Sequence, residues 1–408
     1  MNVSQSGSGA TTPAGRVDEL DSLRGLAAIT VVAAHLIACV PFIFVAVHDR
    51  AAASGLGYAL LYTPLRLFVA GNEAVILFFV LSGFVLSLPF FSSSPPRYRM
   101  FLIRRICRIY LPFAALLVIG LAVYAAVTVV PLPEASPWAS ESWSEPITTR
   151  MVAGYLLMTG FAHHLQLNPP AWSLVHEMRI SLVFPLIFAA LNALAPWRRL
   201  LGALAFSAFC AFAASAVAAD GTVKTSAALT DTLLLTGSYV WFFVLGIELA
   251  RYRTRIAEVV DGFSAPTTAL AFAVAATLYI SDWLFPPLHG GALSDFIVGF
   301  GAAGFIALAL GSSAVKRLLT TAPLLLLGRV SYSLYLIHLF VTAAVLYELH
   351  DRLSLGACLL VAALCSIGGA WISYHAIEKP MIRLGRRLTA GTARGAVAAA
   401  AHVGLPSV

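Results

Sequence analysis

Apolar runs of about twenty residues recur from near the first residue of this chain to near its last, separated by short polar loops. A helix rises 1.5 Å per residue, so ~20 apolar residues cross the ~30 Å hydrocarbon core of a bilayer. Lipid offers the backbone no hydrogen-bond partners, so each run must satisfy its own amides as a helix. Ten candidate spans follow, at residues 22–45, 72–91, 105–130, 172–195, 199–218, 230–250, 265–285, 294–312, 323–347 and 355–376. Composition agrees. Of 408 residues 60% are hydrophobic and 11% charged, against ~25% charged in soluble domains. The expected fold is all-α: a polytopic integral membrane helix bundle of about ten transmembrane helices, both termini cytoplasmic.

Residues 1–20 form a polar N-terminal segment, 21–387 the membrane domain, and 388–408 an Ala/Gly-rich tail expected to be mobile. The first apolar run has no persuasive small-residue cleavage site, so it reads as an uncleaved span rather than a signal peptide. No loop is long enough for a folded soluble domain, and no internal repeat is evident.

The net charge of +7 reads as orientation rather than nucleic-acid binding. With the N-terminus inside, the inner turns carry Arg97, Arg99, Arg104, Arg105 and Arg108, then Arg198 and Arg199, then Arg251, Arg253 and Arg255, then Lys316 and Arg317. The outer side holds only Arg50, Arg66, Arg150, Lys224 and Arg352. That asymmetry is the positive-inside pattern, and the membrane expected is the inner, cytoplasmic one of a cell. The piece MVAGYLLMTGF (151–161) is too short to span, and counting it would move Arg198 and Arg199 outside; it is expected to be re-entrant or interfacial. The five cysteines have no CxxC spacing and read as free thiols. His163 and His164 are adjacent but lack a third ligand at metal spacing, so no metal site is expected.

Chemistry enters with RGLAAITVVAAHL (24–36). Arg24 and His35 are eleven residues apart, about 16 Å along a helix and on nearly one face. Arg24 alone would serve as a snorkelling anchor, and His35 as interhelical glue. Ionisable groups at membrane depth are nevertheless functional hypotheses by default.

Six motifs then bear a resemblance to one family. LDSLRGLAAITVVAAHL, with a basic residue, ten intervening residues and a histidine, is similar to the opening span of the acyltransferase type 3 family. LFFVLSGFVLS (77–87) resembles its second span, and Arg105 with Arg108 its Arg-x-x-Arg element. Trp172, Ser173, Leu174 and Glu177 match its Trp-Ser-Leu-x-x-Glu motif. LGRVSYSLYLIHLFV (327–341) and YHAIEKP (374–380) resemble its last two spans. The order is kept from about residue 18 to 387. One departure stands out: His176 replaces an acidic residue and Arg179 brings a further charge into the span.

The resemblance implies a membrane O-acyltransferase that moves an acyl group, expected to be acetyl, from cytoplasmic acyl-CoA. The acceptor it implies is a hydroxyl of an extracytoplasmic or lipid-linked carbohydrate. Arg24, Arg105 and Arg108 are expected to bind the phosphates of the donor, because guanidinium–phosphate bonds are charge-assisted and often bidentate. His35 is expected to act either as a general base or as a transient acyl carrier. Glu177 is the second catalytic candidate, orienting a histidine or an acceptor hydroxyl, with an ion pair to an arginine as the plainer reading. Glu73, Trp172, Ser173, His338 and Glu378 form the supporting set, His338 being read chiefly as a helix-linking residue. Arg24, Arg105, Arg108, Arg329 and Glu378 are expected on the cytoplasmic side; His35, Glu73, Trp172, Glu177 and His338 toward the middle or outside. Acyl-CoA is a cosubstrate, and no permanently bound cofactor is expected. The alternative function is a transporter or flippase, which would also have ten spans and buried charges.

Overall fold

The computed structural model describes residues 17–141, 143, 144, 146–160, 167–217 and 229–402. Its apolar helices, in chain order, are α1 (Asp18–Ala38), α2 (Gly71–Phe91), α3 (Tyr98–Ala126), α4 (Ala171–Asn192), α5 (Pro196–Ala216), α6 (Leu229–Arg251), α7 (Ala265–Tyr279), α8 (Leu293–Gly311), α9 (Ala322–Leu349) and α10 (Leu355–Ala390). Among the described residues, nine of these are long and apolar enough to cross a membrane, and there is no strand. The chain is therefore an all-α, multi-pass membrane protein. The exception among the ten expected spans is 265–285. It yields only the 15-residue α7 and a short helix at Ser281–Leu284, because Pro286 and Pro287 lack the amides to continue it.

Lys379–His402 is helical, as an Ala-rich stretch with high helix propensity can be. Asp18, Glu19 and Asp21 belong to the first turn of α1, where acidic side chains complement the helix dipole. The described part of the short apolar piece, 151–160, does not span: a helix at Thr149–Leu156 stops before Met158 and Gly160, both at positive φ.

Without a hydrophobic drive between helices, close packing of small residues holds a membrane bundle together. α1 crosses α9 where Gly25 and Gly328 let the two backbones touch; a Cβ on either would collide with backbone of the other. α2 crosses α6 in the same way, Gly83 lying against Phe243 and Gly246 against Val80 and Gly83. These contacts join the helices that carry the site. Large apolar side chains such as Leu186, Phe209, Phe212 and Leu360 are exposed on the outside of the bundle, the side that faces lipid.

Candidate active site

The site has two levels. At the lower one, α1 contributes Arg24, α2 Ser82, α3 Arg105 and Arg108, α4 Glu177 and Ser181, α9 Ser333 and α10 Glu378. Arg105 Nη2 lies 3.1 Å from Glu177 Oε1 and donates to Ser181 Oγ at 2.8 Å. Ser82 Oγ donates to the same Glu177 oxygen at 2.9 Å. Ser333 Oγ donates to Glu378 Oε2 at 2.8 Å. The charges of Arg24, Arg108, Glu177 and Glu378 act on one another. Three guanidiniums thus share two carboxylates. Among the described residues, Arg24 and Arg108 make no hydrogen bond or ion pair, so their donors are free for an anion.

Local backbone geometry aims two of these groups. Ile106–Tyr110 in α3 and Tyr374–Glu378 in α10 are single π-helical turns. Such wide turns are rare and recur at functional sites. One carries Arg108 and the other ends on Glu378.

The upper level is about 16 Å away along α1. His35 Nδ1 lies 3.0 Å from His338 Nε2, and His338 Nδ1 lies 3.1 Å from the Leu334 carbonyl. A carbonyl only accepts, so His338 Nδ1 carries a hydrogen. With both rings neutral, His338 Nε2 then holds a lone pair and His35 Nδ1 must donate to it. His35 Nε2 is left with the free lone pair. His338 is fully buried, and its ring is stacked on that of His35 with centroids 5.1 Å apart. Trp138 stacks on His35 as well, at 5.5 Å and 8° between planes. Trp138 belongs to a short helix, Pro137–Glu141, tied to the end of α1 by Ser136, whose Oγ donates to the Ala38 carbonyl at 2.6 Å and whose amide donates to that of Cys39 at 2.8 Å.

His35 opens on a cavity of about 550 Å³, which Arg66, Asn72, Glu141, Trp172 and Tyr335 also line. Arg66 is buried and clamped to Glu73 by two bonds of 3.1 and 3.0 Å, its guanidinium 4.1 Å from the Trp283 ring centroid. Ser173 Oγ and the Tyr335 hydroxyl are 2.7 Å apart, and Tyr335 donates to the Pro170 carbonyl at 3.0 Å. Trp172 packs against His176 and Tyr239.

Measured against the expected site, His35, His338, Trp172 and Ser173 with its partner Tyr335 come together at the upper level. Arg24, Arg105, Arg108 and Glu378 come together at the lower one. Glu177, expected toward the middle or outside, is at the lower level, where it makes the plainer of its two expected contacts, an ion pair with an arginine; its carboxylate bonds involve Arg105 and Ser82 rather than His35. The imidazole's partner is another imidazole. Glu73 reaches the cavity only through Arg66. Arg179 has no carboxylate; it donates to the carbonyls of Met158, Thr159 and Thr232 and to Thr236 Oγ1, which ties the short 149–156 helix to the bundle. Arg199, expected only as an orientation signal, is buried and paired with Glu248 at 3.0 Å. Trp138 was not expected at all, because it sits in a loop without a motif. His163 and His164 lie outside the described residues. Among the described residues, no three His, Cys, Asp or Glu side chains gather as a metal site, and all five cysteines are free.

Comparison with known proteins accords with this architecture. The family described as an acyltransferase domain matches residues 17–375. A curated relative, the acyltransferase MdmB of Streptomyces mycarofaciens, is 27% identical over 410 residues, covering 93% of this chain and 95% of that protein. No solved structure matches. The chain belongs to this acyltransferase family and is a multi-pass membrane acyltransferase, of the kind that transfers groups other than aminoacyl groups.

Proposed function

We propose that the protein transfers an acyl group from acyl-CoA, entering at the arginine level from the cytoplasm, to a hydroxyl of an acceptor held in the His35 cavity. The membrane is the inner, cytoplasmic one, the acyl group is acetyl, and the acceptor class the resemblance implies is a carbohydrate or glycolipid. One observation carries the reading: His35 offers a free Nε2 to a cavity at one end of α1, while Arg24 offers uncommitted donors at the other. The long, thin pantetheine arm suits the span between anion site and base.

The chemistry balances with these residues. His35 Nε2 takes the acceptor's hydroxyl proton as its oxygen attacks the thioester carbonyl. The C–S bond breaks, the ester forms, and the leaving thiolate takes the proton back from Nε2 as coenzyme A thiol. His338 holds His35 in the required tautomer and shares the imidazolium charge through Nδ1, the second function of a paired histidine base.

The test is turnover of carbon-14-labelled acetyl-CoA by the full chain in lipid nanodiscs. Wild type is expected to release or transfer the label, and His35→Ala to lose at least ~10²-fold in rate, the contribution of a general base, with unchanged yield and donor binding. Transport of an intact substrate without label turnover would overturn the reading.

A further inference from the structure

Arg66 lines the His35 cavity with one part of its guanidinium committed and another part open. The residue sits in a short 3-10 turn, Pro64–Phe68, capped by Thr63, whose Oγ1 accepts from the Leu65 amide at 3.2 Å. It is 6% exposed, and its partner Glu73, in the first turn of α2, is 1% exposed. Nε and Nη2 donate to separate carboxylate oxygens at 3.1 and 3.0 Å, and the Trp283 ring lies against the guanidinium. A guanidinium carries five N–H donors. Glu73 takes two of them, so three remain. Among the described residues, Nη1 has no hydrogen-bond partner, and unlike Arg105 Nε it is not closed off by protein. It therefore looks onto the cavity that Arg66 lines.

An arginine that only ties the bundle together behaves differently. Arg179 spends Nη1 and Nη2 on four protein oxygens, those of Met158, Thr159, Thr232 and Thr236. A buried donor without a partner is costly, so the open donors of Arg66 call for an oxygen from outside the protein. Glu73 decides which kind. Its two bonds fix the guanidinium in one orientation. Its charge also neutralises that of Arg66, so an anion gains little Coulomb attraction there, while a hydroxyl, ether or carbonyl oxygen still finds aligned donors. On the reading that the transfer takes place in this cavity, we infer that Arg66 binds the acceptor. The acceptor is an uncharged compound with a second oxygen besides the reacting hydroxyl. That oxygen accepts from Arg66 while the hydroxyl meets His35 Nε2. Two fixed points of contact thereby select one hydroxyl of several for acylation.

Cyclohexanol and the cyclohexane-1,2-, 1,3- and 1,4-diols form a matched series with one oxygen or two. The full chain in nanodiscs is given labelled acetyl-CoA and each alcohol in turn, and labelled ester is measured. At least one diol is expected to have a kcat/KM ~10-fold or more above that of cyclohexanol, the worth of one hydrogen bond to a charged donor. In the double variant Arg66→Met, Glu73→Met that advantage is expected to fall below ~3-fold, with the acetyl-CoA KM within about twofold of wild type. Both partners are changed because removing one alone strands a buried charge, whereas apolar replacement of a whole pair is often tolerated. Should the double variant not fold, Arg66→Lys makes the same test: it keeps the charge beside Glu73 without the planar fork of donors, and the advantage is expected to fall likewise. Use of cyclohexanol by wild type as good as that of every diol overturns the inference, whatever the variants do, and leaves the proposed function standing. A diol advantage that survives the loss of Arg66 overturns it too. So does a higher kcat/KM for 4-hydroxycyclohexanecarboxylate than for any diol, by showing a site for anions. An absence of all acyl-CoA turnover in wild type would instead sink the proposed function, and the inference with it.

Discussion

Two imidazoles 3.0 Å apart beside a backbone carbonyl admit one neutral arrangement of protons, and it points the lone pair of His35 into the cavity. His338 is thus a positioning residue. His338→Ala is expected to lower kcat by ~10²-fold, within the range of general-base effects, while the acyl-CoA KM stays within about twofold; an unchanged kcat would remove the pair from the chemistry. Trp138→Ala is expected to cost ~0.5–1.5 kcal/mol, the worth of a stacked aromatic contact, read as a severalfold lower kcat/KM that Trp138→Phe largely restores. The arginines divide differently. Arg105 is committed to Glu177 and Ser181 in a buried pair, and breaking such a pair costs ~3–5 kcal/mol of stability. Arg105→Ala should therefore lower the thermal midpoint, and a companion Glu177→Ala should recover part of the loss. Arg24→Ala and Arg108→Ala remove uncommitted donors. Each is expected to raise the acyl-CoA KM by the ~1.5–3 kcal/mol of a charged hydrogen bond, about ten- to a hundredfold, with little change in melting.

At the scale of elements, Gly25 and Gly328 set the distance between α1 and α9, and so the reach from His35 to His338. Gly328→Leu has no room, since its Cβ would meet the backbone of Asp21 and Ser22. The expected outcome is loss of folded protein, or of activity with a melting point depressed by the ~1–3 kcal/mol or more that overpacking costs; Leu326→Ala, on an exposed position of the same helix, is the control. Helical periodicity explains what could be read in advance. Eleven residues on one helix is a fixed vector, so Arg24 and His35 were legible as a two-level device. Glu177 was misplaced because depth counted from a loop ignores where the partner sits: α4 begins at Ala171, and Arg105 meets it almost two turns further along. The π turns at 106–110 and 374–378 leave no pattern in composition, because each is an accommodation between helices. Trp138 was invisible for the same reason. Its role depends on Ser136 meeting the end of α1, a contact across nearly a hundred residues of chain.

At the scale of the molecule, orientation decides whether the two levels form a relay between compartments. Acyl-CoA is a cytoplasmic compound, so the arginine level must open inward if the proposed donor is to reach it. The Lys/Arg asymmetry argues for that orientation. The same orientation puts the Pro137–Glu141 helix, the cavity and Glu141 outside. Cysteine labelling tests this in sealed right-side-out vesicles, with the five native cysteines replaced by serine or alanine. A membrane-impermeant maleimide is expected to label Ser140→Cys from outside, and Thr254→Cys only after the vesicles are opened. The reverse pattern would place the arginines outside, beyond reach of acyl-CoA, and would require a different donor at that level. A finding that both positions label from one side would mean that the number of crossings between residues 140 and 254 is even. Since α4, α5 and α6 lie between them, one of these three apolar helices would then have to lie in the interface instead of crossing it.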